Sequence, residues 1–561
     1  MQKPWLKSYE QGVPASIEYP KVTLPQFLFD TVRRYPQNPA LIFYGRALSY
    51  DELDAQSNQF ANALIQLGVQ KGDRVALMLP NSPQYVIACY GALKAGAIVV
   101  QTNPLYVERE LEHQLNDSET ETLIALDLFY PRIKNIQHKT LLRRIILTRL
   151  SDFLPFHLKL LYPLKAMKEG RRVRVNIKPP LYDFCDLMRK AVTTQPIVPV
   201  KPSDSALLQY TGGTTGIPKS VMLSHANLVV NAYQCRRWMP TLREGEEVFL
   251  GVIPFFHVYG MSTCMNLSLL MGGCLVLLPR FNTEEVLKTI VKHRVTLFMG
   301  VQAMYVAINN YPGIGRFDLS SIRICISGAG PLHSEVQERF ETLTGGKLVE
   351  GYGLSETSPV THCTPIYGHR KKSSIGLPFP DTEAKIVDLE EGRRELPVGE
   401  VGELIIRGPQ VMQGYWKKPE ETRAVLVDDW LHTGDMARMD EEGYFYIVDR
   451  KKDMIKTKGE NVYPREVEEV LFRHPKVKDA VVVGIPDPFS IELIKAYVVL
   501  KEGQHATEPE IIEYCAKELA RFKVPRTIEF RSELPRTMVG KVLRRVLLEE
   551  EMKKSEVRGK V

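Results

Sequence analysis

The chain has 561 residues, a 44% hydrophobic content, eight cysteines and a formal net charge of +7. At about 150 residues per domain, this length predicts three or four compact units. The cysteines include no Cys-x-x-Cys pair, which argues against a disulfide scaffold or a zinc site and fits a reducing compartment. The first residues, MQKPWLKSYEQGVP, lack the apolar core of a signal peptide, so we expect a cytoplasmic protein.

The first part of the chain alternates predicted helices and strands. Residues 24–66 predict a helix, short strands and a second helix. Residues 73–80 form an almost continuous apolar run, which is typical of a parallel strand covered on both faces. A helix over 82–95 and a strand over 98–102 follow, and this strand–helix–strand order indicates a doubly wound α/β unit. Further strands are predicted over 123–126 and 141–148.

Residues 132–178 form a strongly basic segment. The segment contains thirteen Lys and Arg residues and only two acidic residues, so its net charge is 13 − 2 = +11. Aromatic residues such as Phe153 and Phe156 lie between the charged ones. A solvated surface insertion is one interpretation. A patch for anionic lipid is the other, because Lys and Arg near such a surface gain about 1 kcal/mol each. Nucleic acid is disfavoured, because no recognition motif accompanies the charge.

The stretch Gln209–Leu223, QYTGGTTGIPKSVML, lies between apolar runs. Its glycines permit close approach to a ligand, and successive backbone N–H groups in such a loop form an anion-binding concavity. Lys219 adds a positive charge and the threonines add hydroxyl donors. Ile217 and Pro218 separate Gly216 from the lysine, so this is not the P-loop NTPase motif. We predict a polyphosphate site, with an ordinary Gly/Thr loop as the alternative.

Residues 251–279 contain no Asp, Glu, Lys or Arg and are long enough to cross a bilayer. Proline, glycine and polar residues interrupt the stretch, which favours a loop, a buried helix (261–271) and a buried strand (274–278). The loop contains His257, which by itself is more often a packed histidine than a catalytic one. A helix is predicted over 224–239, and strands are predicted over 275–278, 297–299 and 322–326.

Two later stretches suit a nucleotide. The small residues of Ser327–Leu332 permit close approach of a flat ring. Glu350–Thr357 contains two glycines, a tyrosine and a carboxylate next to a hydroxyl, which suit the edge of a nucleotide and a Mg²⁺ ion. Residues 375–448 predict a small antiparallel β unit, in which Asp435 is placed to accept hydrogen bonds from ribose hydroxyls.

The charged run 449–453 marks a predicted domain boundary, giving domains of residues 1–449 and 450–561. The second domain alternates strands and helices and is predicted to be α+β. Gly540 places Lys541 on a turn, where an isolated lysine is most often a solvated charge. The predicted strands are 479–485, 494–500 and 527–530, and the predicted helices are 466–472 and 508–519.

The string Tyr210–Lys219 resembles the phosphate-binding signature of the adenylate-forming superfamily, which includes acyl-CoA synthetases, peptide-synthetase adenylation domains and luciferases. The blocks described above occur in the order of that superfamily over roughly residues 25–550. Several stretches are most similar to bacterial long-chain fatty acid–CoA ligases: 101–106, 254–260, 349–359 and 408–416.

The resemblance implies an α/β fold: a large N-terminal domain of two doubly wound α/β subdomains plus a small β-barrel-like subdomain, and a small mobile α+β C-terminal domain. It also implies a ligase that uses ATP, Mg²⁺ and coenzyme A to convert a fatty acid to acyl-CoA through acyl-AMP. We expect peripheral association with the anionic inner face of the cell membrane, and no nucleic-acid partner. A homodimer is left open.

The resemblance also implies the site residues. The catalytic ones are Lys219, His257, Glu356 and Lys541, and the metal ligands are Thr214 and Glu356. ATP and AMP would contact Thr211, Gly212, Gly213, Thr214, Thr215, Gly216, Lys219, Gly328, Ala329, Gly330, Glu350, Gly351, Tyr352, Gly353, Thr357, Asp435, Arg450 and Lys541. Coenzyme A would contact Lys458, Gly459 and Glu460, and Lys452 would be the hinge. The acyl pocket would comprise His257, Val258, Tyr259, Phe298, Met299, Gly300 and Val301.

The sequence departs from the family pattern at three places. Ser220 stands where Gly is usual, Phe489-Ser490-Ile491-Glu492 replaces Tyr-Arg-Gly-Glu, and Met299-Gly300-Val301-Gln302 replaces Pro-Gly-x-Pro. Transfer of acyl-AMP to a carrier and ligation of an aromatic acid are the alternative enzymatic interpretations. No carrier domain follows residue 561, which disfavours a fused peptide-synthetase module. A membrane-associated acyl-AMP or lipid-binding protein with little turnover is the non-enzymatic alternative.

Overall fold

The computed structural model describes residues 3–168, 173, 175–211, 218–457, 460–487, 491–537 and 542–558. The chain folds as two compact units. The larger unit comprises Leu6–Glu383 and Arg407–Asp429, and the smaller unit comprises Met1–Trp5, Ala384–Ile406 and Trp430–Val561. The predicted division at residues 449 and 450 lies inside the smaller unit and stays a prediction.

The larger unit contains an eight-stranded sheet. Its first two strands are antiparallel and the other six are parallel to one another. The parallel strands are almost wholly apolar because both faces of the sheet are covered. The strand order is Gly414–Tyr415, Lys219–Ser224, Ser205–Thr211, Ile98–Gln101, Arg74–Met78, Thr122–Leu126, Arg144–Thr148 and Leu181–Asp183.

A second sheet of nine strands completes the larger unit. Its six central strands are parallel, and antiparallel strands lie at both edges. The strand order is Leu377–Pro378, Val360–Cys363, Lys347–Gly353, Ile324–Ser327, Leu297–Gly300, Val248–Gly251, Cys274–Leu277, Pro39–Phe43 and Arg46–Ser49. A further short strand is Leu426–Val427.

Local sequence explains where the helices of the larger unit begin. In the helix Tyr50–Gln66, Ser49 Oγ accepts the Glu52 N–H while Glu52 Oε2 accepts the Ser49 N–H, which is a capping box. The other α-helices are Leu24–Arg34, Pro83–Lys94, Glu108–Asp117, Tyr130–Ile136, Phe156–Lys168, Phe184–Lys190, His225–Trp238, Val258–Gly260, Leu267–Leu270, Thr283–His293, Gln302–Asn309, Ser334–Thr344 and Pro419–Val425. Short 3₁₀ helices are Pro4–Ser8, Asp127–Phe129, Gln137–Lys139, Leu150–Phe153, Ile314–Arg316 and Ser355–Thr357.

The smaller unit contains two sheets. The first has the order Glu383–Val387, Gly402–Arg407, Trp430–Met439 and Phe445–Arg450. The second has the order Glu460–Val462, Ile455–Thr457, Ile491–Leu500 and Val477–Asp487, with Thr527–Phe530 parallel to Ile491–Leu500. The helices are Pro464–Arg473, Glu508–Glu518, Arg521–Lys523 and Arg544–Arg558.

The sequence predicted most of these elements correctly. The uncharged stretch 251–279 is the predicted loop, buried helix and strand: helix runs from Val258 to Leu270, with π-helical geometry over Met261–Asn266, and the strand is Cys274–Leu277. Among the described residues, no helix has the length and apolarity needed to span a bilayer. The basic segment is only partly a surface feature, because Arg144–Thr148 is an internal strand of the eight-stranded sheet.

Candidate active site

The predicted phosphate loop joins two antiparallel strands of the eight-stranded sheet. Thr211 ends one strand and pairs in register with Lys219, which begins the next. The two residues therefore lie side by side at the base of the loop. The loop itself lies outside the described residues, and with it the predicted ligands Gly212, Gly213, Thr214, Thr215 and Gly216.

Lys219 belongs to a chain of charged and aromatic contacts. Its ammonium pairs with the Glu421 carboxylate and lies 5.2 Å from the centre of the Tyr415 ring. The Tyr415 hydroxyl donates to Glu356 Oε1 at 2.9 Å. Burial and the Glu356 charge raise the pKa of Tyr415 well above its ordinary value, so the hydroxyl keeps its proton and donates. The structure thus links the predicted phosphate-binding lysine to the predicted metal-binding carboxylate.

Tyr415 and Glu421 were not among the predicted site residues. Tyr415 lies in the stretch 408–416, which the resemblance had singled out without assigning it a role. Glu421 follows in the helix Pro419–Val425. Neither could be assigned from sequence spacing, because about two hundred residues separate them from Lys219 and only the sheet brings the strands together.

The loop Ser327–Leu332 follows a parallel strand of the nine-stranded sheet. Ala329 adopts the left-handed conformation, with φ at +62°. A Cβ at Gly328 would lie 2.9 Å from the Tyr259 ring, so this position has no room for a side chain. Glu350, predicted to contact the nucleotide, accepts the Leu332 N–H at 2.9 Å and so braces this loop.

Gly351, Tyr352 and Gly353 end the neighbouring strand. The Tyr352 ring meets the buried His362 ring edge-on at a centroid distance of 5.8 Å. A Cβ at Gly353 would lie 1.9 Å from the Pro359 carbonyl oxygen, which explains the glycine. Thr357 is fully buried, and its hydroxyl accepts the Leu354 N–H at 3.0 Å, so it stabilises the turn that carries Glu356.

His257 lies in the loop before the helical stretch Val258–Leu270. Burial lowers its pKa to about 4, so the imidazole is neutral near pH 7. The neighbouring Phe256 ring lies 5.0 Å away, centroid to centroid. A neutral ring beside apolar side chains suits an apolar substrate better than a fixed charge would.

Three buried amides that the sequence did not reveal hold this loop. Gln209 Oε1 accepts the Val258 N–H at 2.9 Å, Gln101 Nε2 donates to the Phe255 carbonyl at 2.8 Å, and Asn81 Oδ1 accepts the Phe255 N–H at 2.8 Å. Gln101 and Gln209 are register partners on adjacent parallel strands. Gln101 ends its strand, Asn81 lies in the turn after a strand, and Gln209 directly follows an apolar run within its strand, and that placement was the available signal.

The predicted acyl-pocket residues lie close together but face different ways. The Tyr259 hydroxyl donates to the carbonyls of Gly300 and Ile326, both at 3.0 Å, and so connects two parallel strands. Phe298 and Val301 belong to the core cluster around Tyr305, whereas Met299 projects from the opposite face of its strand. Val258 is also buried. Their contact with an acyl chain stays a prediction.

The smaller unit carries the predicted ribose residues. Asp435 and Arg450 are register partners on antiparallel strands, and Arg450 Nε lies 3.1 Å from Asp435 Oδ1. Lys452, the predicted hinge, lies exposed in the turn that follows. Lys458, Gly459 and Lys541 lie outside the described residues, and Glu460 begins the strand Glu460–Val462.

Burial raises the pKa of Asp449, next to Arg450, to about 6. Its carboxylate accepts the Arg465 N–H at 2.8 Å and the Arg450 N–H at 2.7 Å, which holds the end of the strand Phe445–Arg450. Asp449 was predicted only as part of the charged run at the domain boundary, not as a site residue.

The described residues include no group of three or more His, Cys, Asp or Glu side chains placed to hold a metal ion together. Mg²⁺ at nucleotide sites takes only one or two carboxylates and completes its shell with phosphate and water oxygens. Glu356 fits that role, because Tyr415 orients its Oε1 and no described residue hydrogen-bonds its Oε2.

Comparison with known proteins identifies the family of this chain. Residues 28–416 match the AMP-binding enzyme family, and residues 466–541 match the AMP-binding enzyme C-terminal domain. The chain belongs to the AMP-binding enzyme family. The predicted superfamily and fold class are therefore confirmed.

Two relatives match over essentially the whole chain. A long-chain-fatty-acid–CoA ligase of Bacillus subtilis (strain 168) is 48% identical over 99% of this chain and 100% of its own length. A long-chain-fatty-acid–CoA ligase of Escherichia coli O6:H1 is 40% identical over 100% of this chain and 99% of its own length.

Two solved structures share the fold. ATP-bound MatB from Rhodopseudomonas palustris has a TM-score of 0.83 at 28% identity, covering 95% of this chain and 99% of that one. The anthranilate CoA ligase AuaEII in complex with anthranoyl-AMP has a TM-score of 0.84 at 27% identity, covering 96% of this chain and 98% of that one.

Proposed function

We propose that this protein is a long-chain fatty acid–CoA ligase that forms acyl-CoA, AMP and pyrophosphate through an acyl-AMP intermediate. The observation that carries the proposal is the chain of contacts from Lys219 through Tyr415 to Glu356, which brings the predicted phosphate-binding lysine and the predicted metal-binding carboxylate into one cluster. The full-length similarity to long-chain-fatty-acid–CoA ligases supports the choice of substrate.

The physical problem of the first step is that an anion attacks a polyanion. A carboxylate oxygen forms a bond to the α-phosphorus of ATP, and the bond from that phosphorus to the bridging oxygen of pyrophosphate breaks. Lys219, the loop N–H groups and Lys541 would offset the charge that develops. Glu356 and Thr214 would hold Mg²⁺, which supplies further positive charge to the phosphate oxygens when bound.

In the second step the thiol of coenzyme A attacks the acyl carbonyl and AMP leaves. Gly328–Gly330 and Tyr352 would flank the adenine, and Asp435 and Arg450 would bind the ribose. Neutral His257 would line the place where the acyl group meets the thiol. We place the domain boundary at residues 449 and 450, with Lys452 as the hinge about which the C-terminal domain turns between steps.

The test is AMP release from ATP across carboxylic acids of graded length, measured with and without coenzyme A. The proposal expects release that depends on coenzyme A and is fastest with long-chain acids. Release without coenzyme A would indicate an acyl-AMP ligase, and a preference for aromatic acids would indicate an aromatic-acid–CoA ligase. Tight binding of acyl-AMP without turnover would indicate the non-enzymatic alternative, a membrane-associated acyl-AMP or lipid-binding protein.

We also propose peripheral association with an anionic membrane through the helix Phe156–Lys168, at the cytoplasmic face. Phe156, Leu160, Leu161 and Met167 are 77%, 63%, 59% and 59% exposed. Phe156, Leu160 and Met167 share one side of the helix, because their spacing matches the helical repeat. Basic residues surround this apolar side in the sequence, which suits the boundary between lipid headgroups and acyl chains.

Sedimentation with vesicles tests this second proposal. Binding to anionic vesicles should exceed binding to neutral ones and should fall as salt rises, since the screening length is about 8 Å at physiological salt. Phe156→Ser with Leu160→Ser should weaken binding, as should Gln at residues 171, 172 and 174. Val192→Ser with Ile197→Ser, which also removes exposed apolar side chains, is the matched control. Equal binding to neutral vesicles would contradict the proposal.

Whether the protein forms a homodimer is a separate question, which sedimentation velocity of the protein alone answers.

A further inference from the structure

The segment Gln413–Trp416 lies along the strand that follows the phosphate loop. The Trp416 N–H donates to the Ser220 carbonyl at 2.8 Å, and the Gln413 N–H donates to the Met222 carbonyl at 3.0 Å. These bonds place Tyr415 opposite Val221. The position of its ring is therefore set by the same strand that begins with Lys219.

The helix Pro419–Val425 holds the Tyr415 backbone from the other side. The Tyr415 N–H donates to Thr422 Oγ1 at 2.9 Å, and that hydroxyl donates to the Lys418 carbonyl at 2.8 Å. Tyr415 is 8% exposed. Two independent sets of hydrogen bonds thus fix the Tyr415 backbone, and the side chain that projects from it is buried.

The two ends of the Tyr415 side chain meet different charged groups. The ring face lies 5.2 Å from the Lys219 ammonium, within the range where an aromatic quadrupole attracts a cation. The hydroxyl donates to Glu356 Oε1 at 2.9 Å. One rigid side chain therefore orients a cation and an anion that lie far apart in sequence.

We propose that Tyr415 is a positioning residue, which holds the Glu356 carboxylate and the Lys219 ammonium in the arrangement that Mg²⁺-bound ATP requires. The proposal rests on the function proposed above, because it assumes a nucleotide at this site. Loss of a group that orients a metal ligand through a hydrogen bond commonly lowers metal affinity or activity by about 10–100-fold. Without nucleotide, the Glu421 carboxylate pairs with the Lys219 ammonium. When the nucleotide binds, its phosphate oxygens would replace Glu421 as the partner of Lys219.

The test is Tyr415→Phe, which keeps the ring and removes the hydroxyl. Binding of α,β-methylene-ATP is measured by calorimetry as Mg²⁺ is varied, so the readout does not depend on turnover. We expect the Mg²⁺ concentration for half-maximal tightening to rise about 10-fold. Nucleotide binding in EDTA should be unchanged, because the hydroxyl acts through the metal-binding carboxylate.

Two further variants separate positioning from general stability. Tyr90→Phe is the matched control, since it removes another buried tyrosine hydroxyl, which donates to Asn266 Oδ1 at 3.1 Å. It should leave the Mg²⁺ dependence unchanged. In a Glu356→Gln background, Tyr415→Phe should add little, because the two groups act as one unit. Thr422→Val, which loosens the Tyr415 backbone, should shift the Mg²⁺ dependence in the same direction.

Unchanged Mg²⁺ dependence in Tyr415→Phe would overturn the proposal, as would an equal loss of binding with Mg²⁺ and in EDTA. If the Tyr415→Phe protein does not fold, an unchanged Mg²⁺ dependence in Thr422→Val overturns it instead. A wild-type protein that binds the nucleotide but does not ligate fatty acids would overturn the proposed function alone.

Discussion

The Arg450 guanidinium lies 3.1 Å from the Asp435 carboxylate across two antiparallel strands. Asp435 is 4% exposed, so a nearly buried carboxylate is held beside a positive charge. Two residues that the resemblance implies for the nucleotide site are thus neighbours. Their relationship leads to the first prediction.

Asp435→Asn should weaken AMP binding about 10-fold or more, because a hydrogen bond to a charged group contributes about 1.5–3 kcal/mol. The substitution keeps the size of the side chain and removes its charge. Calorimetry with AMP and with 2′,3′-dideoxy-AMP measures the effect. The wild type should prefer AMP and the variant should lose that preference; an unchanged preference would contradict a ribose role.

Lys541→Ala and Gly459→Leu should separate the two half-reactions. Loss of the Lys541 charge should slow adenylation by ~10²–10³, because the lysine acts where negative charge meets negative charge. The variant should still convert acyl-AMP and coenzyme A to thioester. Gly459→Leu should form acyl-AMP and stop, because the added side chain blocks the pantetheine path.

Pyrophosphate exchange follows the first half-reaction, and thioester formation from synthetic acyl-AMP follows the second. Thermal unfolding of both variants serves as the control for folding. If both variants lose both half-reactions equally while remaining folded, the alternation of the C-terminal domain is wrong.

Substrate specificity should rise steeply with acyl chain length. Each buried CH₂ contributes about 0.8 kcal/mol, so kcat/KM should increase severalfold per carbon until the pocket is full, at about twelve to eighteen carbons. The measurement is kcat/KM across a series of saturated acids. A best rate with acetate or coumarate would refute long-chain specificity.

Acidification should destabilise the protein in part through His225. Burial lowers the pKa of this 1%-exposed histidine to about 4, from an ordinary value of 6.5. Between pH 6.5 and 4 the unfolded chain binds the proton more readily, so this contribution is complete above pH 6.5 and is lost as pH falls through 4. The loss approaches about 3 kcal/mol of unfolding free energy.

Denaturant unfolding at pH 7 and at pH 4.5 measures this effect. His225→Gln should show a smaller difference between the two pH values than the wild type. His157→Gln replaces an exposed histidine and should match the wild type. An identical difference in all three proteins would show that His225 does not titrate as described.

Most helices and strands were predictable because each follows from local pattern. The apolar runs 73–80 and 98–102 became parallel strands, and the second helix predicted within residues 24–66 is Tyr50–Gln66, capped by Ser49 and Glu52. The basic segment shows the limit of this reasoning. Its charge suggested a surface insertion, but Arg144–Thr148 forms an internal strand, with Ile145 and Ile146 fully buried.

The sequence by itself determined which functional groups are available for binding: a loop suited to phosphate with its lysine, a stretch with a carboxylate and a tyrosine, and small residues that admit a flat ring. Those properties follow from residue type and close spacing, which the chain carries wherever it folds. Only the tertiary structure decided that Tyr415 joins Lys219 to Glu356, and that Gln101 and Gln209 hold the His257 loop. These are contacts between residues far apart in the sequence, and their geometry depends on strand order and register, which local pattern does not encode.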